Sequence, residues 1–380
     1  MPEPTPASEA TERKPFTPEE LADRLAPNDV QISSDGRHVA FTVGSASKKE
    51  EYRERAIWLS RDGEPAKPFT AGVGNDNSPR WSPDGTRLAF LSNRKDVKEH
   101  EKSKLYAIRL DGGEAQPVGN LEGELTDLQW SPDGKSIALL REDPETADEK
   151  KKKEERDDAV VVETDKKRFR LFVIDVETGK ARQLTFGTRQ VWSFGWSKDG
   201  SQLAIITTEG YDENAACADS DLYTMPSSGG IPKHIAHFPI LPYGPIFVDG
   251  GIAIQANGHW EDPPDSVWFV PEGGSPRNLL PGLKGNVDAI YPIADDPTRV
   301  CARIVEGTHT GAYEVEIATG KRKKITPKGQ HGDGSIQSGP SISADGTRLA
   351  VVWSEGHVPH EVYVADRGGK PASKHKQRVA

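Results

Sequence analysis

Acyl-transfer chemistry by a serine hydrolase needs its nucleophile lifted on a strained turn, with small residues two positions before and after the serine. The nearest approach to that pattern here is Gly195-Trp196-Ser197-Lys198-Asp199, whose last position is an aspartate. No Gly-x-Ser-x-Gly occurs in the 380 residues. Without an elbow, scattered Ser, His and Asp give no warrant for a triad. Zinc chemistry fares similarly. His357-Val358-Pro359-His360-Glu361 brings two imidazoles close, but Pro359 forbids the helix on which His-Glu-x-x-His sites are built. Asp219-Ser220-Asp221 and Asn75-Asp76-Asn77 are calcium-like fragments without the glycine and distal glutamate of an EF-hand loop, and read as turn acids. There is no phosphate-binding glycine loop and no dinucleotide fingerprint. Cys217 and Cys301 fall in different repeats and read as free thiols. The residues therefore assign no catalytic, cofactor-binding or metal position, and no cofactor.

What the chain does carry is a framework. Trp81-Ser82-Pro83-Asp84-Gly85 leads into Arg87-Leu88-Ala89-Phe90 and reads as strand, tight turn, strand. Pro83 presets the second position of a type I turn, Asp84 suits the third, and Gly85 supplies the positive φ that closes the hairpin. The stretch recurs at Ile32-Ser33-Ser34-Asp35-Gly36, Trp130-Ser131-Pro132-Asp133-Gly134, Trp196-Ser197-Lys198-Asp199-Gly200 and Ile342-Ser343-Ala344-Asp345-Gly346. Weaker copies stand at Phe247-Val248-Asp249-Gly250 and Ala294-Asp295-Asp296-Pro297. The turn aspartates lie at 35, 84, 133, 199, 249, 295 and 345, a period near fifty with one long interval. Such a period built from strands predicts a propeller. Each repeat also carries a third strand (Leu171–Val176 is the clearest) and a short fourth after a Gly turn. The expectation is an all-β, seven-bladed β-propeller of four-stranded antiparallel blades.

Around this frame, residues 1–15 are polar, proline-bearing and expected to be disordered. Residues 16–27 read as a lead-in helix, with Thr17 as N-cap, Glu20 at the capping-box position and Pro27 as the stop. The propeller is assigned to 28–380. Residues 142–168 are a charged insertion between the second and third strands of blade three, read as a solvated loop or exposed helical turn. Lys374–Val379 would supply blade seven's fourth strand, so every blade is continuous in sequence and the ring closes without strand exchange. Trp81, Trp130 and Trp196 share one repeat position, where a ring can wedge between blades. Trp192 and Trp260 fall outside that pattern and are candidate exposed stacking platforms.

A net charge of −10, from 59 acidic and 49 basic residues, argues against a nucleic-acid partner. No apolar run approaches the ~20 residues of a membrane helix, and the Met1–Pro6 start lacks a signal-peptide pattern. A cytoplasmic location is expected.

The run Phe16–Leu21, the Trp-Ser-Pro-Asp-Gly turns and Leu171–Thr185 resemble the propeller of the prolyl oligopeptidase family of serine peptidases, closest to its acylaminoacyl-peptidase and dipeptidyl-peptidase-like branch. The resemblance covers about residues 16–370. It implies a non-catalytic module that caps an α/β-hydrolase domain and admits only short peptides through its tunnel. In the family that hydrolase domain follows the propeller, beyond Ala380 in this numbering, so no catalytic residue carries over. The alternative is a stand-alone TolB-like or WD-repeat-like propeller that serves as an interaction scaffold or ligand binder. TolB-like propellers, however, have six blades, a preceding α/β domain and a secretion signal.

Overall fold

The computed structural model describes residues 17–45, 54–94, 103–155, 167–210, 219–257, 265–326, 335–355 and 358–367. They form seven antiparallel sheets arranged as a ring, each built from strands consecutive in sequence. Blades one to seven span residues 25–68, 77–123, 125–183, 190–238, 243–278, 286–324 and 335–366. Six sheets have four strands, and blade seven shows three among the described residues. Its expected fourth strand, Lys374–Val379, lies outside them. Blade one is complete within itself, and no strand of blade seven pairs with it among the described residues. Among the described residues the ring closes without strand exchange.

The repeated turn works through its serine as much as its proline and glycine. Gly85 N–H donates to Ser82 O (2.8 Å), and Gly85 sits at φ 69°. The Ser82 hydroxyl donates to Asp84 Oδ1 (2.6 Å) and accepts from Arg87 N–H (3.0 Å), while Thr86 N–H also donates to that carboxylate oxygen (3.0 Å). Ser33/Asp35, Ser131/Asp133, Ser197/Asp199 and Ser343/Asp345 repeat the arrangement. In blade six the acceptor is Asp296, one residue later than the repeat reading places it, and it takes the Thr298 N–H (3.1 Å).

Between consecutive blades lies an apolar core, and there are seven such cores, one per seam. The seam of blades two and three buries Leu91, Leu105, Leu128, Ile137 and Leu139; that of blades seven and one buries Val30, Phe41, Val352 and Val364. Central strands are therefore apolar on both faces, as in Leu88–Leu91 and Leu203–Ile206. Side chains of this size contribute about 1.5–3 kcal/mol each when fully buried. Two of the shared tryptophans wedge as expected: the indole Nε1 of Trp81 donates to Gln31 O (3.2 Å), and that of Trp130 to Arg80 O (3.0 Å), each reaching the previous blade.

One expectation is corrected, and in the insertion the helical of its two readings is the one found. The lead-in helix spans only Pro18–Ala22, capped by Glu20 N–H to Thr17 Oγ1 (3.1 Å) and Thr17 N–H to Glu20 Oε2 (2.9 Å). Leu25, Ala26 and Pro27 belong to the first strand, Leu25–Ile32, where pairing with the second strand outweighs helical spacing. The insertion is in part a helix, Ala147–Glu155, capped by Thr146 and Glu149; its root is tied by Arg170, which grips Asp143 (3.0 Å). Residues 1–15 lie outside the described set. No helix among the described residues is long and apolar enough to cross a membrane.

The turn bonds and the close-packed seams can each be tested by substitution. The bonds from Ser82, Ser131, Ser197 and Ser343 hold the carboxyls of Asp84, Asp133, Asp199 and Asp345 below the usual range, Asp199 at about 2. A carboxyl depressed on folding stabilises above its unfolded value and loses that contribution as pH falls through its folded one. Replacing Asp84, Asp133 and Asp199 together by Asn is expected to lower the urea midpoint at pH 6 and to flatten its decline between pH 5 and 2.5. Parallel curves for the two proteins would contradict the role of these bonds. At Gly195 an added Cβ would fall 2.0 Å from Pro245 O of blade five. Gly195→Ala is expected to cost about 1–3 kcal/mol or more by forcing that seam apart, read by thermal unfolding; an unchanged midpoint would refute the close approach.

Candidate functional site

In a propeller the first strands of the blades surround the central channel, and here those of blades one and two, two and three, four and five, five and six, and seven and one pack side by side. Each of them carries a register irregularity: between Asn28 and Gln31, Asn77 and Arg80, Thr126 and Gln129, Val191 and Ser193, Tyr243 and Ile246, Val287 and Ala289, and Ile336 and Ser338. Asp29 (φ 45°), Ser78 (φ 53°) and Asp127 (φ 56°) occupy the same repeat position in the left-handed region. Gly244 (φ 59°) and Gly339 (φ 86°) stand at the bulges of blades five and seven. Short polar side chains and glycine tolerate that backbone. A bulge bends its strand and re-aims a side chain, here toward the seam at the channel wall.

The re-aimed groups tie neighbouring blades with polar bonds. Arg80 Nη1 of blade two donates to Asp29 Oδ1 of blade one (2.9 Å). In blade six, Arg303 pairs with Asp288 (2.6 Å), and both Arg303 Nη1 (2.9 Å) and the Tyr291 hydroxyl (2.8 Å) donate to Gly339 O of blade seven. Burial pushes the Tyr291 phenol up to about 12. At the seam of blades three and four, Gln129 Nε2 donates to Phe194 O (2.9 Å) and the Asp127 carboxylate accepts the Phe194 N–H. Burial raises the Asp127 carboxyl to about 6, against the opposing pull of Arg80, Phe194 N–H and Gln129. On the turn face, a cavity of 570 Å³ opens between blades two and three, walled by Asp84, Asp133 and Glu177 facing Arg87 and Lys135, with Trp130 at its base.

The residues singled out in the sequence have structural partners. Ser197 Oγ is committed to Asp199 Oδ1 (2.6 Å) and Gln202 N–H (2.9 Å). Asp76 is fully buried and bonded by Ser92 Oγ (2.5 Å) and Arg94 Nη2 (2.8 Å), an internal ion pair. Trp192 is no exposed platform: its Nε1 donates to Thr208 Oγ1 (2.8 Å) and its ring packs on the core between blades four and five. Cys301 is buried, its thiol pushed up to about 12 by desolvation. His360 lies in the third strand of blade seven. His357, Cys217 and Trp260 lie outside the described residues. Asp221, a turn acid by its local sequence, is in fact a buried strand residue surrounded by His234, His237 and Arg189. Sequence reasoning also misses the channel-wall aspartates Asp29, Asp127 and Asp288, although the matching place of the first two ahead of the repeated turns could have marked them.

No protein-family model matches the sequence, and no curated protein matches it. Solved structures do. The acylaminoacyl peptidase of Pyrococcus horikoshii superposes with a TM-score of 0.67 at 16% identity, over 92% of this chain and 52% of its own. A puromycin-hydrolyzing peptidase of Mycobacterium tuberculosis gives 0.69 at 13% identity, over 96% and 57%. The β-propeller domain of the Trilobed protease from Pyrococcus furiosus, described as having an open velcro topology, gives 0.63 at 14% identity, over 92% and 97%. The likeness is one of fold. The chain spans about half the length of the two whole peptidases.

The Asp127 carboxyl, raised on folding, destabilises the native state at neutral pH, and this penalty should fade as pH falls from about 7 toward 4. Asp127→Asn keeps an acceptor for Phe194 N–H and tolerates φ 56°. It is expected to gain about 1–3 kcal/mol at pH 8, with the gain shrinking below pH 5. A pH-independent effect, measured by urea unfolding, would refute the buried carboxyl.

Proposed function

We propose that this chain is the propeller module of a serine peptidase of the prolyl oligopeptidase family, acylaminoacyl- or dipeptidyl-peptidase-like, and that it controls access of short peptides to an α/β-hydrolase domain carried outside residues 1–380. The observation that supports this best is the shape of the structural match. Nearly the whole chain superposes on about half of the Pyrococcus horikoshii acylaminoacyl peptidase. The Ser-x-Asp-Gly turns and the charged insertion of blade three point the same way.

On this reading the module contributes shape rather than chemistry. A ring with a core at each of its seven seams dilates only by breaking a seam, because interiors packed to this density resist small deformations. An extended peptide fits such a channel and a folded protein does not. The charged pairs on its wall, Asp29 with Arg80 and Asp288 with Arg303, hold peptide termini weakly, since each charge already has its partner. A cytoplasmic setting belongs to the same proposal.

The test is direct. Purified chain incubated with acylated or dipeptidyl chromogenic substrates is expected to show no turnover, and a fluorophosphonate probe is expected to leave it unlabelled. Stoichiometric labelling, abolished by replacing one of its serines, would place the nucleophile inside these residues and overturn the proposal.

A further inference from the structure

Blade four holds a group of side chains that the channel does not use. Its third strand, Ser220–Pro226, pairs with its fourth, Lys233–Phe238, placing Asp221 opposite His237 and Tyr223 opposite His234. The register skips Ile235, so the fourth strand contains one extra residue. In an unbroken strand, residues three apart point to opposite faces. The bulge turns His234 and His237 to the same side, and both imidazoles meet Asp221. His234 Nε2 lies 2.9 Å from Asp221 Oδ1, and His237 Nδ1 lies 3.3 Å from that oxygen and 3.4 Å from Asp219 Oδ1. One donor atom from each of Asp219, Asp221 and His237 lies within 4.8 Å of the others.

These separations carry a chemical meaning. With metal–ligand bonds of about 2.0–2.1 Å, two ligands of a tetrahedral ion stand about 3.3–3.4 Å apart. The two distances from His237 Nδ1 match that edge. Asp221 is already oriented as a ligand, because its Oδ2 accepts from Arg189 Nη1 (2.8 Å) and leaves Oδ1 toward the histidines. Arg189 is held in turn by Glu209 (3.1 Å) and lies over the Tyr223 ring at 5.3 Å, against whose edge His234 packs at 5.2 Å. Burial pushes the Asp221 carboxyl up, but the bonds from His234, Arg189 and His237 prevail and hold it below its ordinary value, so it is anionic. Asp219, Asp221 and Glu209 outnumber Arg189, so the fixed charge of the group favours a dication. One imidazole with two carboxylates suits zinc-class ions; calcium and magnesium take oxygen ligands.

We propose that Asp219, Asp221 and His237 form a binding site for a divalent transition ion of the zinc class, completed by water, with His234 and Arg189 as positioning residues on Asp221. Binding uses the lone pair of His237 Nδ1, with the ring proton on Nε2, and clamps the start of the third strand to the end of the fourth, on the ring face opposite the Asp-Gly turns.

The probes are Zn²⁺ and Co²⁺, titrated into the full metal-free chain by calorimetry. One ion per chain and visible cobalt absorption of tetrahedral intensity are expected, together with a rise in Tm on adding zinc. Asp219→Asn changes an exposed side chain, so its metal-free Tm should stay put, while in both Asp219→Asn and His237→Ala the Kd rises about tenfold or more. Absence of saturable binding would overturn the proposal. So would an unchanged Kd in both variants, which would place the ion on other residues.

Discussion

Apolar burial on both faces of every blade is the constraint from which the ring follows. A strand run such as Leu88–Leu91 or Ile137–Leu140 has no polar side to offer water, so its sheet must be covered twice. Adding sheets face to face satisfies each one only by exposing the last, and bending the stack into a closed circle removes that last exposed face. The outcome is seven seam cores in place of one central core. Stability is then a sum of neighbour contacts, as in other repeat architectures. The seams differ only in detail: a tryptophan wedge at the first two, a glycine pressed against a carbonyl between blades four and five.

Closure sets the division of labour between the two ends of each blade. The turns between first and second strands are fixed locally, in five blades, by a serine, an aspartate and a glycine within five residues. At the channel wall the strands converge, and the bulges at Asp29, Asp127 and Asp288 replace ladder bonds by long-range polar ties such as Arg80 to Asp29 and Arg303 to Asp288. Between blades three and four those ties are side-chain bridges from Asp127 and Gln129, and Trp196 Nε1 finds no partner among the described residues, unlike its counterparts at 81 and 130. Arginine and aspartate at the wall thus serve the ring first, and they give the channel its mixed charge as a consequence.

The blade count, the turn geometry and the order of strands were legible because each rests on local chemistry repeated at a fixed interval. Pro83, Asp84 and Gly85 do in the fold what their types prescribe. Features set by partners distant in sequence were not legible. The helix reading of Leu25 and Ala26 fails because their spacing suits a helix while Gly44 and Ser45, across the hairpin, offer a strand. Trp192 falls outside the repeat pattern yet is packed, because its partner, Thr208, is reached from the neighbouring strand. The grouping of Asp221 with His234 and His237 depends on a single extra residue, Ile235, and no alternation pattern reveals a bulge before the pairing is known.

The peptidase reading and the fold meet at the seam between blades seven and one, where no strand is exchanged among the described residues. Besides the Val30–Phe41–Val352–Val364 core, it is held by Ile32 N–H to Ser341 Oγ (3.0 Å), Ala344 N–H to Ser34 O (2.9 Å) and Arg348 Nη1 to Gly36 O (2.9 Å). Native-state hydrogen exchange measures the free energy of opening at each amide. If side-by-side packing alone closes the circle, amides of 25–32 and 335–342 should exchange through a shared opening well below the cost of exposing Leu171–Ile174 in blade three. Equal protection in all three segments would contradict a ring closed in this way.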